Sequence, residues 1–411
     1  MSSHGLADSK STTTHPSTIE ANPMERGLLH NMLTYADSLQ ALPNFGVALA
    51  LILNAALVGV CWAVTQPLEI ALLAAGLCLT ASAVDWGLLW ALPRTGRSFG
   101  PEKPSALALS ALRAIVLSAL GLFFAPLWLG LVLMLAVSIT VYYSTWIEPF
   151  ALGVTRERLT ARGWKAAATT PPLRVLHIGD IHVERVTQRE RRLNALIKEL
   201  KPDIIVFSGD FVNISYKNDP TAEAAVREVI SEWQAPLGVY CVPGTSTVES
   251  VERVQEFVKG MDNLKLLANR WLSINTPSGA FHILGMVTTH NIDVDRKAFQ
   301  RMMLSAPKGG FRLLLAHAPD IAPEADAAGM DLYVAGHTHG GQIRLPFIGA
   351  VFTASHLGRR FAMGRHDLKN ITVYTTRGVG LEGLGAPRAR FLCPPEIVLW
   401  EIGGAVNEKL A

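Results

Sequence analysis

Cysteine is nearly absent. The four in 411 residues are Cys61, Cys78, Cys241 and Cys393. Two stand in apolar segments and two are scattered in the second half, which excludes a disulfide framework and fits a reducing compartment. Charge is scarce too: Asp, Glu, Lys and Arg make up 17%, with a net charge of +3. That balance gives no argument for nucleic acid as a partner. Residues 1–44 lack the basic region and adjoining apolar run of a signal peptide. They are polar, with Ser and Thr between Ser9 and Thr14, and read as a disordered or loosely attached cytosolic tail. No internal repeat is visible.

Apolar residues are in excess. They make up 49%, and mean hydropathy is +0.27, which points to membrane segments. The length suggests two domains. The apolar residues concentrate at 45–148, and the part from 173 to 403 has ordinary globular composition; 149–172 reads as a linker and 404–411 as a short tail. Four segments are long enough to cross a membrane, each about 20 residues: Phe45–Thr65, Leu68–Leu92, Ala106–Phe124 and Leu127–Ile147. Pro67 and Pro126 divide them into two hairpins.

Basic residues set the expected orientation. Arg94, Arg97 and Lys103 lie in the link between hairpins, and Arg156, Arg158, Arg162 and Lys165 follow the fourth span. The turns at Pro67 and Pro126 carry none. This predicts a multi-pass protein of the inner membrane, with both ends and the globular domain in the cytoplasm. Asp85 and Arg113 fall inside apolar spans, where a charge costs about 3 kcal/mol. They read as a structural pair tying the hairpins together, or as part of a transport or lipid-handling function.

From Leu173 on, short apolar runs alternate with amphipathic stretches, which suggests βαβ units followed by closer-spaced strands. The chemistry-bearing residues follow these runs. Asp180 and His182 come after Leu173–Gly179, and Asp210 after Ile204–Ser208. His317 comes after Leu313–Ala316, and His337 and His339 after Leu332–Ala335. Strand ends are where such sheets present functional groups. An Asp-x-His pair can aim a carboxylate and an imidazole at one point, and Asp210 can bridge two cations. His337-x-His339, set among Gly336, Gly340 and Gly341, can offer two imidazoles on a tight turn. Mixed imidazole and carboxylate donors suit Mn, Fe or Zn. Two such ions, roughly 3.5–4 Å apart, can activate a water and hold a phosphoryl group. Any one of these residues alone would be an ordinary packed side chain; the ordered set is not.

These blocks resemble the calcineurin-like metallophosphoesterase superfamily: Asp180-x-His182, Gly209-Asp210-x-x-Asn213, the Gly244 block, His317 and Gly336-His337-Thr338-His339. The stretch from Gly336 to Pro346, with Gly358 to Phe361 and Arg377 to Gly380, is similar to its bacterial membrane-associated YkuE/YaeI-type branch. That branch includes UDP-2,3-diacylglucosamine pyrophosphatases. The resemblance implies an α/β fold, a four-layer α/β-β/α sandwich, here preceded by an all-α transmembrane region. It implies two divalent ions, one held by Asp180, His182, Asp210 and His339, the other by Asp210, His317, His337 and an asparagine. Asn213 would support the centre or touch substrate, and Arg359 and Arg377 become candidate phosphate contacts.

The third block departs from the pattern. The family's Gly-Asn-His-Asp/Glu reads Gly244-Thr245-Ser246-Thr247 here. Thr245 stands at the amide ligand's position, and Ser246 at that of the histidine that holds or protonates the phosphate. Such a loss typically lowers rate by about 10²–10⁴-fold. His290, His356, Arg359, Arg360 and Arg377 are candidate substitutes. The expectation is a membrane-anchored hydrolase of a phosphodiester or pyrophosphate, with membrane lipids or a lipid-linked phosphate as partner. The competing readings are a degenerate relative that binds metal without turnover, and a helical bundle that carries the main function.

Overall fold

The computed structural model describes residues 28–161, 164 and 171–403. Most of the N-terminal tail, Arg162, Lys165 and the tail 404–411 lie outside the described residues.

A short helix, α1 (Leu28–Ser38), precedes four long ones: α2 (Asn44–Ala63), α3 (Leu68–Arg94), α4 (Lys103–Leu122) and α5 (Leu127–Tyr142). Pro67 and Pro126 stand just before α3 and α5, where a fixed φ costs nothing. With α5 extended by its irregular last turns to Phe150, all four long helices are apolar enough to cross a membrane. They pack through small residues: Ala55, Ala71, Ala74, Cys78, Ala81 and Ala114 are buried, while Leu53, Leu57, Leu72, Leu131 and Leu135 face outward. Small residues inside and large apolar ones outside is how helices associate in lipid, where burying Leu brings no hydrophobic gain. The two charges inside the bundle meet. Arg113 and Asp85 lie 2.7 Å apart, both fully buried. Arg113 also donates to the Met134 carbonyl and Ser138 Oγ, so the pair ties α3, α4 and α5 together.

The rest is a sandwich. One sheet holds β1 (Gly153–Leu159), β2 (Leu173–Ile178), β3 (Ile204–Phe207), β4 (Val239–Cys241), β5 (Leu264–Leu266) and β14 (Glu396–Ile402), in the order β1-β14-β2-β3-β4-β5. The other holds β6 (Arg270–Thr276), β7 (Gly279–Gly285), β8 (Phe311–Leu315), β9 (Leu332–Ala335), β12 (Gly364–Asp367) and β13 (Thr372–Thr375), in the order β12-β13-β9-β8-β7-β6. A hairpin, β10 (Arg344–Leu345) and β11 (Gly349–Ala350), stands apart. Alternation along the strands builds three cores. Val175, Val206, Ile283, Leu313, Val334 and Trp400 meet between the sheets. Leu176, Ile205 and Phe207 turn outward onto α6 (Gln188–Leu200), α7 (Pro220–Ser231) and α8 (Val251–Val258). Leu284, Leu314 and Tyr333 turn outward onto α9 (Ile292–Met303) and α10 (Ala322–Ala327). The result is the four-layer arrangement expected.

Two segments differ from the sequence reading. Gly153–Leu159, inside the stretch read as linker, pairs in parallel with β14; its polar alternation is that of an edge strand with one wet face. Part of the N-terminal tail is the helix α1, whose Leu33 carbonyl accepts from the Gly385 amide. The bundle is seated on the sandwich by buried polar contacts. Glu184 accepts from Arg388 at 2.9 Å and from the Phe99 amide at 2.8 Å. The Ser144 carbonyl accepts from the Arg390 amide, and Glu148 accepts the amides of Leu392 and Cys393. The link between hairpins therefore lies on the domain's side of the bundle.

Candidate metal centre

Five parallel strands end around one point. β2 leads to Asp180 and His182, β3 to Asp210, β4 to Gly244, β8 to His317 and β9 to His337 and His339. At these ends the backbone bends into the left-handed region at Asp180 (φ 50°), His182 (39°), Asp210 (61°), His337 (71°) and His339 (50°). Such conformations are costly for residues with a Cβ and cluster at functional sites. Here they turn five side chains inward. Asp180, Asp210, His182, His317 and His339 are all buried.

The donors crowd together. His182 Nε2 and His339 Nε2 are 2.8 Å apart. His182 Nε2 is 3.4 Å and His317 Nε2 3.3 Å from Asp210 Oδ2, so that oxygen stands between two groups. Asp180, His182 and His339 can bring one donor atom each within 4.8 Å of one another, and so can Asp180, Asp210 and His317. The chemistry fits divalent ions. Asp180 Oδ2, His182 Nδ1 and His337 Nε2 are buried without hydrogen-bond partners, a state native proteins avoid unless another ligand is expected. His317 Nδ1 lies 2.9 Å from the Ser208 carbonyl, which assigns the proton to Nδ1 and frees Nε2 as a ligand. Such a carbonyl behind a ligating imidazole sets its tautomer and aim.

Electrostatics divide the set. Burial holds His337 and His339 well below the usual histidine range, so both are neutral and ready to ligate. Burial also raises Asp180 to about 6. At Asp210 burial acts upward too, but His317 and His182 hold it well below the carboxylate range. His317 is pushed to about 9, because Asp210 and Asp180 outweigh its burial.

The altered block keeps its glycine for a steric reason. A Cβ on Gly244 would lie 2.1 Å from Asp210 Oδ1, and one on Gly336 would lie 2.3 Å from Asp180 Oδ2. Thr245 faces the centre. Its amide donates to Asp210 Oδ1 at 2.7 Å, and its hydroxyl is 3.4 Å from Asp210 Oδ2 and 3.3 Å from His317 Nε2. Ser246 is half-buried beside it and Thr247 is exposed.

Other sequence candidates fall elsewhere. Asn213 is fully buried, with its Nδ2 donating to the Leu381 carbonyl and its Oδ1 accepting from the Ser215 amide. Its amide group holds a loop and has no free face for substrate. Arg377 is paired with Glu396 at 2.6 Å. Arg359 is exposed and donates to the Ile348 carbonyl, and Arg360 is exposed as well. His356 Nε2 donates to the His290 carbonyl at 3.0 Å. Two residues escaped the sequence reading. Glu249, buried two positions past the altered block, accepts the amides of Asp210, Phe211, Val212 and Gly244. Burial and Asp210 raise its pKa to about 8. Arg390, fully buried, donates to the carbonyls of Arg377 and Gly380 and reaches 3.5 Å from His339 Nδ1. Neither has a spacing that marks it.

Comparison with known proteins agrees with this geometry. The calcineurin-like phosphoesterase family matches residues 173–341. The chain is 30% identical over 268 residues to phosphodiesterase YaeI of Escherichia coli K12, covering 63% of this chain and 92% of that protein. It is 24% identical over 269 residues to the uncharacterized metallophosphoesterase YkuE of Bacillus subtilis 168, covering 63% and 88%. It is 24% identical over 314 residues to UDP-2,3-diacylglucosamine pyrophosphatase LpxG of Chlamydia trachomatis serovar D, covering 62% and 92%. This sandwich with its cluster of histidines and carboxylates defines a phosphoester hydrolase of the dinuclear-metal class. The chain belongs to the calcineurin-like phosphoesterase family.

Proposed function

We propose that this protein is a membrane-held hydrolase that cleaves a phosphodiester or pyrophosphate bond in a lipid-linked substrate, such as a nucleotide-linked lipid precursor, at the cytoplasmic leaflet of the inner membrane. One observation carries the substrate class. A cleft of about 290 Å³ opens beside His337 and His339 and is walled by Leu33 of α1, Ile343, Val351, Phe352, Ala386 and Pro387. A second cavity of about 360 Å³ shares Ile343 and Pro387 and runs to Leu89, Leu112 and Val141 of the bundle. Two apolar cavities that share a wall thus lie between the membrane helices and the histidines. Phe347 and Ile348 at the hairpin tip, and Met32 and Tyr35 on α1, are exposed large apolar side chains of the kind a bilayer interface accepts.

Asp180, His182, Asp210 and His339 would hold one ion, and Asp210, His317 and His337 the other, of Mn, Fe or Zn type. Such a pair supplies Lewis-acid polarisation of the phosphoryl group and a more acidic attacking water. The chain's own contribution is to position that pair, to exclude water through the apolar walls, and to offer Thr245 and Ser246 hydroxyls where the family has an amide and an imidazole. The altered block favours a second reading, metal binding without efficient turnover.

The test uses the full chain in detergent micelles with Mn. A nucleotide-diphosphate lipid should be hydrolysed about tenfold or more better than its water-soluble headgroup analogue, and Asp210→Ala should abolish both. Equal turnover of the two would remove the lipid; no turnover with metal bound would select the second reading.

A further inference from the structure

With Thr245 in place of the amide, the second metal position would keep three protein ligands, Asp210, His317 and His337. A third imidazole stands ready beside it. His290 follows β7, the strand next to β8, which leads to His317; β9, which leads to His337, comes next. Three neighbouring parallel strands thus each lead to one histidine of this group. The His290 ring centroid is 4.3 Å from that of His337 and 5.9 Å from that of His317. One ring nitrogen from each of the three can lie within 4.8 Å of the others.

His290 is only 1% exposed, and both its ring nitrogens lack a hydrogen-bond partner. A histidine packed for structure is not left this way. His177 Nε2 meets Ser208 Oγ at 3.1 Å, and His282 Nδ1 meets Ser273 Oγ at 2.7 Å. The segment that leads into His290 is instead pinned. Asp295 accepts from the Thr289 amide and hydroxyl, and the neighbouring Thr288 hydroxyl accepts the His317 amide. With φ of 59° His290 shares the left-handed bend of His337 and His339.

We propose that His290 is a protein ligand of the second metal, taking the coordination position that the Asn-to-Thr change at residue 245 leaves open. This rests on the dinuclear reading above. The second ion would then have Asp210 and three imidazoles, His290, His317 and His337, a set that suits Zn or Fe.

Zn binding to the metal-free, full-length protein in detergent tests it by calorimetry. Wild type should take two ions. His290→Ala should keep the first with unchanged affinity and bind the second at least about tenfold more weakly. Thr245→Asn in the His290→Ala background should recover much of the second. His290→Phe keeps the ring's bulk and should behave as His290→Ala does, which separates ligation from packing. Two ions bound to both His290 variants as in wild type would overturn the proposal while leaving the dinuclear centre standing. Fewer than two ions on wild type would overturn both.

Discussion

The Thr245 amide donates to Asp210 Oδ1 at 2.7 Å, and its hydroxyl stands 3.4 Å from Oδ2. The altered block therefore still cradles the carboxylate placed to bridge two ions. What it lacks is reach and acidity, since a threonine and a serine hydroxyl replace an amide and an imidazole. Restoring both with Thr245→Asn plus Ser246→His should raise kcat/KM for a simple aryl phosphodiester in Mn by about 10²-fold or more. A steady-state assay on the double variant checks this. An unchanged rate would mean that the missing imidazole is already replaced from elsewhere in the site.

Glu249 holds the loops of Asp210 and Gly244 through four backbone amides. Each amide left buried and unpaired costs about 1–3 kcal/mol. Glu249→Ala should therefore lower stability by about 3 kcal/mol or more, seen as a lower unfolding temperature in detergent. Glu249→Gln keeps the shape and one acceptor oxygen, so its loss should be smaller. Equal losses in the two variants would place the effect in packing rather than in the amide contacts.

Inside the bundle, the Arg113–Asp85 pair is fully buried. Removing one partner strands the other charge, at a cost of about 3–5 kcal/mol. Asp85→Ala should be strongly destabilising, and Arg113→Met added to it should restore much of the loss. Thermal unfolding of both variants in the same detergent reads this directly. If the double variant were as unstable as the single one, the pair's role would be more than mutual neutralisation.

The strand ends were legible in the sequence because Asp180, Asp210, His317 and His337 each follow a nearly unbroken apolar run. Both faces of those strands are buried, between the sheets and under helices, so the runs had no polar alternation to obscure them. The four apolar helices were legible from length and from Pro67 and Pro126. β1 was not, because Thr155, Arg156, Glu157 and Arg158 break any apolar pattern; it is held by ladder bonds to β14. The α8 helix begins at Val251, because Thr245–Val248 form a turn and Ser250 caps the helix through the Arg253 amide. Glu249 and Arg390 act on backbone groups brought close only by folding, so no spacing in the chain announces them. His290 was visible only as one isolated histidine among several candidates. Asn213 and Arg377 had the right neighbours in sequence, but the Asn213 amide is engaged by Leu381 and Ser215, and one Arg377 amino group is paired with Glu396.

The whole account depends on two ions sharing the Asp210 carboxylate. Electron paramagnetic resonance of the protein loaded with two equivalents of Mn(II) reads that arrangement, because ions roughly 3.5–4 Å apart through a bridging oxygen couple magnetically. The expected spectrum is that of an exchange-coupled Mn pair, replaced by isolated Mn or none in Asp210→Ala. A wild-type spectrum of isolated Mn alone, at full loading, would contradict a shared centre at this residue.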